Sequence, residues 1–117
     1  MKKIFLSLIL AFLSLPIFAQ QLKLITISDY IIGPPTVSYI KRGLKEAERE
    51  DTILIIQLDT PGGLLKSTQE ITKLLLNTSV PVVTYVAPKG ARAASAGVFI
   101  SYASHILAMA PSTHIGS

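Results

Sequence analysis

Cysteine is absent from this chain, which removes a disulfide framework, a thiolate metal site and a thiol nucleophile together. Tryptophan is absent too, aromatics make up only 7% of the residues, and no basic residues cluster with them. Charge is sparse at 15%, and the formal net charge is +4. Setting aside Lys2 and Lys3, which lie in a segment expected to be removed, leaves the balance near neutral. Such a chain makes no case for nucleic acid as a partner. The two histidines, His105 and His114, have no acidic ligands beside them, a poor set for a metal ion. Neither a metal nor a cofactor is expected. What the chain does have is apolar: half of its 117 residues are hydrophobic. That is enough for one modest domain and not for two.

The N-terminus reads as an address. Met1-Lys2-Lys3 is a short positive region, and Ile4 to Leu15 is an apolar run broken only by Ser7 and Ser14. Pro16-Ile17-Phe18-Ala19 then leads to Gln20, so residues 1–19 have the layout of a secretory signal peptide cut after Ala19. The run is shorter than the roughly 20 residues of an ordinary membrane span. An uncleaved anchor is the alternative, because Ile17 is bulky for a cleavage site. No cysteine follows the cut, so a lipoprotein anchor is excluded. The mature chain, from residue 20, is expected outside the cytoplasmic membrane or on its outer face.

Leu22 to Ile27 alternates as a strand, with Leu22, Leu24 and Thr26 sharing a face. Gly33-Pro34-Pro35 breaks the chain, and Pro35 suits the first turn of a helix running to about Glu50. Val37, Ile40, Leu44 and Ala47 recur on one side of it, and the charges from Lys41 to Arg49 form a solvated face. Ile53 to Leu58 is a continuous apolar run, as expected of a parallel strand buried on both sides. A helix from about Leu64 to Asn77 turns Leu64, Thr68, Ile71, Leu74 and Leu75 inward, and Val82 to Val86 is the next strand. A third helix is predicted from Ala93 to about Ser104, then a short strand Ile106–Met109 and a turn at Ala110–Thr113. Strands alternating with helices over short connections specify an α/β fold with a mainly parallel sheet. The abrupt end at Ile115-Gly116-Ser117, with no closing helix, predicts a fold incomplete at its C-terminus.

Two loops carry candidate chemistry. Asp59-Thr60-Pro61-Gly62-Gly63 follows one strand, and its paired glycines can expose backbone N–H groups near a helix start, ready for an oxyanion. Alone it also reads as an ordinary turn. Lys89-Gly90-Ala91-Arg92-Ala93-Ala94-Ser95-Ala96-Gly97 follows the next strand and places a serine among small residues near a helix start. Alone that stretch also reads as a tight helix-packing face. Ligands in such sheets sit beyond the carboxyl ends of the strands, so both loops can border one crevice.

Together, Leu58 to Gly63 and Gly90 to Gly97 resemble the membrane-bound Clp-class serine proteases of the NfeD type, relatives of signal peptide peptidase A. Ala103-Ser104-His105 and Met109 through Gly116 continue the resemblance, which covers nearly all of the mature chain, residues 20–117. It implies a Clp-protease/crotonase-like fold, with Ser95 as nucleophile and N–H groups of Gly62, Gly63 and Ala96 as the oxyanion hole. It implies a Ser-Lys dyad whose lysine lies about forty residues beyond the serine. The chain stops at Ser117, short of such a lysine, and is therefore expected to be a truncated, inactive piece. Lys89 reads instead as a solvated loop charge, and His105 as a structural or capping residue. His114 carries no assignment. The implied substrates are hydrophobic peptide segments of membrane proteins, with stomatin-like proteins as partners and a homo-oligomer as the assembly. A non-catalytic scaffold or binding module is the second reading. Acyl-CoA chemistry on the related crotonase fold is the third, and an exported chain argues against it.

Overall fold

The computed structural model describes residues 21–117, so the segment read as a signal peptide lies outside the described residues. The elements in chain order are β1 (Leu22–Ile27), α1 (Pro34–Arg49), β2 (Ile53–Leu58), α2 (Leu65–Asn77) and β3 (Val82–Val86). Then follow β4 (Arg92–Ala93), α3 (Ala96–Ala103), β5 (Ile106–Met109) and β6 (His114–Ile115). The four longer strands form one parallel sheet in the order β1-β2-β3-β5. The predicted mixed α/β fold with a mainly parallel sheet is the fold observed.

Burial separates the two faces of that sheet. Ile25 and Ile27 of β1, Leu54, Ile56 and Leu58 of β2, and Val82 and Val86 of β3 are buried in one cluster. The cluster includes Ile40, Leu44 and Ala47 of α1, Ile71 and Leu75 of α2, and Ile100 of α3. All three helices therefore draw their apolar stripes onto the same face. The expectation that β2 is buried on both sides is corrected for the described residues. Ile53, Ile55 and Gln57 alternate out of the core and remain half-buried. The other face carries Leu24, Ile55, Val83 and Ile106 in one cross-strand row, with Leu22 and Leu24 exposed. Period-two geometry forces this: one strand supplies both faces whatever covers them.

Local signals account for the helix starts. Gly33 begins α1, Pro34 and Pro35 fill its first turn, where N–H groups lack partners in any case, and Thr36 Oγ1 accepts from Gly33 N at 3.1 Å. The charged side of α1 is solvated, as predicted; Glu46 pairs with Lys23 at its surface. Leu64 does not turn inward but stands 56% exposed as the residue before α2.

A second, smaller set of strand contacts organises the carboxyl end of the sheet. After β1, Ile32 bridges Gly63; after β2, Thr60 bridges Ala93; β4, which follows β3, pairs with β6, which follows β5. Each long strand thus runs on into a short extension, and the extensions pair in the order of their parent strands. Both loops of interest lie in this upper layer.

Candidate active site

The turn from Asp59 to Gly63 is held by one buried threonine. Thr60 is fully buried; its N donates to Arg92 O at 2.8 Å and its O accepts from Ala94 N at 3.1 Å. Its hydroxyl donates to Tyr30 O at 2.7 Å and accepts from Gly62 N at 3.1 Å, a side-chain-closed turn two residues long. Gly62 O in turn accepts from Ile32 N at 2.8 Å, and Leu64 N donates to Ile32 O at 2.9 Å. In a parallel bridge the bracketed residue directs its own N–H away from its partner. The N–H of Gly63 therefore points away from Ile32.

The glycines are demanded by space. Gly62 has φ 126°, in the region that favours glycine, and a β-carbon on it would stand 2.9 Å from Ser95 Cβ and 3.3 Å from Ser95 Oγ. A β-carbon on Gly63 would stand 2.1 Å from Ile32 O. The turn is pressed against the serine on one side and against the Ile32 bridge on the other.

Ser95 precedes α3, as the residue at its N-cap, with φ 50° and ψ −110°. Gly97 N donates to Ala94 O at 2.9 Å, which closes a turn with Ser95 at its second position. These dihedrals are those of the first central residue of a type II′ turn, a position dominated by glycine. A serine held there costs on the order of 1–3 kcal/mol of backbone strain. Serine is also a favoured capping residue, yet this hydroxyl makes no capping hydrogen bond, and the residue is exposed. The oxygen is thus presented to solvent at a helix N-terminus rather than spent on the helix. Ala96 begins α3, where a backbone N–H has no intrahelical partner.

Two expectations are corrected. The third helix starts at Ala96 and not Ala93, because Arg92–Ala93 is extended and paired with β6, and Ser95 leaves helical space. The N–H of Gly62 is turned into the loop toward Thr60 Oγ1, so it is not available to an oxyanion in this structure. The N–H of Gly63 lies outside the Ile32 bridge and that of Ala96 at the start of α3, while Gly62 has no side chain where one would meet Ser95.

Around this centre, Asp59 Oδ1 accepts from Arg92 N at 3.1 Å and ties the two loops again. Lys89 is exposed on the loop after β3, as predicted for a solvated charge. His105 is tied to the start of β3: its Nδ1 accepts from Val82 N and its own N donates to Val82 O, both at 3.0 Å. His114 is exposed in β6. Among the described residues no group of His, Asp and Glu is placed to hold a metal ion. None of their helices is long and apolar enough to cross a membrane. Thr60 is the site residue that sequence reasoning did not single out. Its signal was a hydroxyl two residues ahead of Gly62.

A family model for the NfeD1b N-terminal domain matches residues 23–117. The membrane-bound protease PH1510 of Pyrococcus horikoshii is 40% identical over 119 residues, covering 100% of this chain and 27% of that protein. The membrane protein NfeD1b of Bacillus subtilis is 33% identical over 81 residues, covering 68% of this chain and 18% of that protein. Among solved structures, a serine-to-alanine mutant of the 1510-N membrane-bound stomatin-specific protease matches with a TM-score of 0.80 and 35% identity, over 85% of this chain and 48% of that one. A lysine-to-alanine mutant of 1510-N in complex with a substrate peptide matches with a TM-score of 0.80 and 37% identity, over 86% and 46%. The chain thus spans about a quarter of the length of PH1510 and about half of the solved 1510-N chain.

Proposed function

The chain belongs to the NfeD1b N-terminal domain family, and from that premise we propose that it is the nucleophile-bearing part of a membrane-associated serine endopeptidase. The observation that carries this reading is Ser95: a non-glycine residue in a glycine conformation, its hydroxyl free at a helix N-terminus and backed by the Gly62-Gly63 turn. Strain of that kind persists where the surrounding structure enforces it, and it clusters at active sites. The two mutants chosen in the solved relatives, at a serine and at a lysine, support the same assignment.

In this mechanism Ser95 Oγ attacks the scissile carbonyl, and the developing oxyanion is held by the N–H groups of Gly63 and Ala96. The leaving amine departs, and water releases the acyl group from Ser95. A serine hydroxyl needs an adjacent base, and the base in this reading is a lysine located beyond Ser117, as the second partner of a Ser-Lys dyad. Lys89 and both histidines have other surroundings, so this stretch by itself is expected to be inactive. The substrates are extended, hydrophobic segments of membrane proteins, stomatin-like proteins among them, because the solved relative is a stomatin-specific protease. The protein acts in the periplasm or at the outer face of the cytoplasmic membrane, associated with that membrane, and assembles as a homo-oligomer.

The test is Ser95→Ala in the full-length protein, assayed on a synthetic apolar peptide. Cleavage is expected to fall to background while circular dichroism is unchanged. Undiminished cleavage removes Ser95 as nucleophile, and absence of cleavage by the wild-type protein favours a scaffold that has kept the fold without hydrolysis.

A further inference from the structure

We infer that Thr60 is a positioning residue that sets the oxyanion turn and the nucleophile turn against each other, an inference that rests on the proposed hydrolytic role of Ser95. Its hydroxyl and its methyl do different work. The hydroxyl accepts from Gly62 N at 3.1 Å and donates to Tyr30 O at 2.7 Å, so it satisfies the one N–H of the turn that would otherwise compete with Gly63 for an incoming anion. Turning Gly62 N inward fixes the peptide plane between Pro61 and Gly62, and the same hydroxyl lies 3.2 Å from Gly62 O, the carbonyl of the peptide that carries Gly63 N and that also accepts from Ile32 N. The methyl lies under α3: a β-carbon on Gly97 would stand 2.8 Å from Thr60 Cγ2. The backbone of Thr60 joins the two, since it pairs with Arg92 O and with Ala94 N, the residue next to Ser95.

No other residue type supplies all of this. Serine has the hydroxyl without the methyl, and valine has the shape without the hydroxyl. A donor aimed at the oxyanion contributes through position, and losing one outright costs on the order of a hundredfold or more in turnover. A donor left in place but held by the Ile32 bridge alone is expected to cost less, about ten- to a hundredfold.

The experiment compares Thr60→Val and Thr60→Ser in the full-length protein, below the unfolding temperature of every variant. Thr60→Val is expected to lower kcat about ten- to a hundredfold with KM little changed. Thr60→Ser is expected to keep kcat within about threefold of wild type while losing thermal stability, because the methyl is gone. A residue of merely structural importance would instead show activity following the folded fraction in both variants. Wild-type turnover in Thr60→Val, a change confined to KM, or an equal loss of kcat in Thr60→Ser overturns the inference.

Ser95→Ala in the same assay separates this from the parent reading. If Ser95→Ala abolishes cleavage and Thr60→Val does not lower kcat, the positioning role fails and the hydrolase stands. If Ser95→Ala changes nothing, the hydrolase fails, and hydrogen exchange at the Gly62 amide decides the positioning role by itself. Protection in wild type and Thr60→Ser but not in Thr60→Val supports it; equal protection in all three overturns it.

Discussion

Gly62 and Ser95 are packed so closely that a β-carbon on the glycine would stand 2.9 Å from Cβ of the serine. One loop follows β2 and the other follows β3, and their contact is the centre of the candidate site. Each loop constrains the other: the serine must leave helical space to meet the turn, and the turn must be bare to receive it.

The strain at Ser95 is measurable. Ser95→Gly relieves a φ of 50° and is expected to raise stability by about 1 kcal/mol, even after the extra freedom of glycine in the unfolded chain. Ser95→Ala keeps a β-carbon and the strain, so its thermal midpoint is expected to match wild type. Denaturant unfolding of both variants checks this, and equal stability of the two removes strain from the account.

Gly62→Ala introduces a side chain at φ 126° against Ser95, so it is expected to abolish turnover and to cost about 1–3 kcal/mol. The fold is expected to survive, because the collision is with a loop residue. Turnover near wild type would show that the turn can withdraw from the serine.

Gly63→Ala meets backbone instead of a side chain, with Ile32 O at 2.1 Å, and nothing flexible can yield. It is expected to break the Ile32 bridge and to destabilise by more than Gly62→Ala, in the range of about 4 kcal/mol that only gross clashes reach. Chemical denaturation of the two glycine variants side by side tests the order.

His105 caps the entrance of β3 through Nδ1 and Val82 N. His105→Ala leaves that N–H without its partner and is expected to cost about 1 kcal/mol, while His105→Asn retains an acceptor and loses less. Turnover in the full-length protein is expected to be unaffected by either. A selective loss of kcat in His105→Ala would give the histidine a catalytic role.

At the surface, a hydrogen bond from Lys23 holds the Glu46 carboxyl below its ordinary value of 4.5, and the same bond holds the Lys23 ammonium above its ordinary 10.5. The carboxylate contribution is present above 4.5 and lost as pH falls through the lowered value; the ammonium contribution is present below 10.5 and lost as pH rises through the raised value. Both groups are solvent-screened, so the gain is small. Glu46→Gln is expected to lower the thermal midpoint slightly and evenly between about pH 6 and 9, with the difference vanishing in acid. A difference that persists in strong acid would point to packing rather than charge.

Much of the fold could be read from the chain. The strands Leu22–Ile27, Ile53–Leu58, Val82–Val86 and Ile106–Met109 lie where alternation and apolar runs put them, because those signals are local and repeat over several residues. Helices α1 and α2 likewise follow from spaced apolar residues, with a proline start for α1. Order and right-handed connection then leave few ways to assemble a parallel sheet. The chemistry-bearing loops, with Ser95 and the paired glycines, were legible as motifs.

Tertiary structure decided the rest. The two-residue strands β4 and β6 have no pattern of their own, since two residues carry no periodicity, and they exist only by pairing with each other. For the same reason α3 begins three residues later than its small-residue run suggested. Which N–H groups face the crevice depended on where the Thr60 hydroxyl found its partners, one from Tyr30 on a loop thirty residues away in sequence. Periodicity declares itself along the chain, whereas a hydrogen bond between distant loops is fixed only when the strands beneath them have paired.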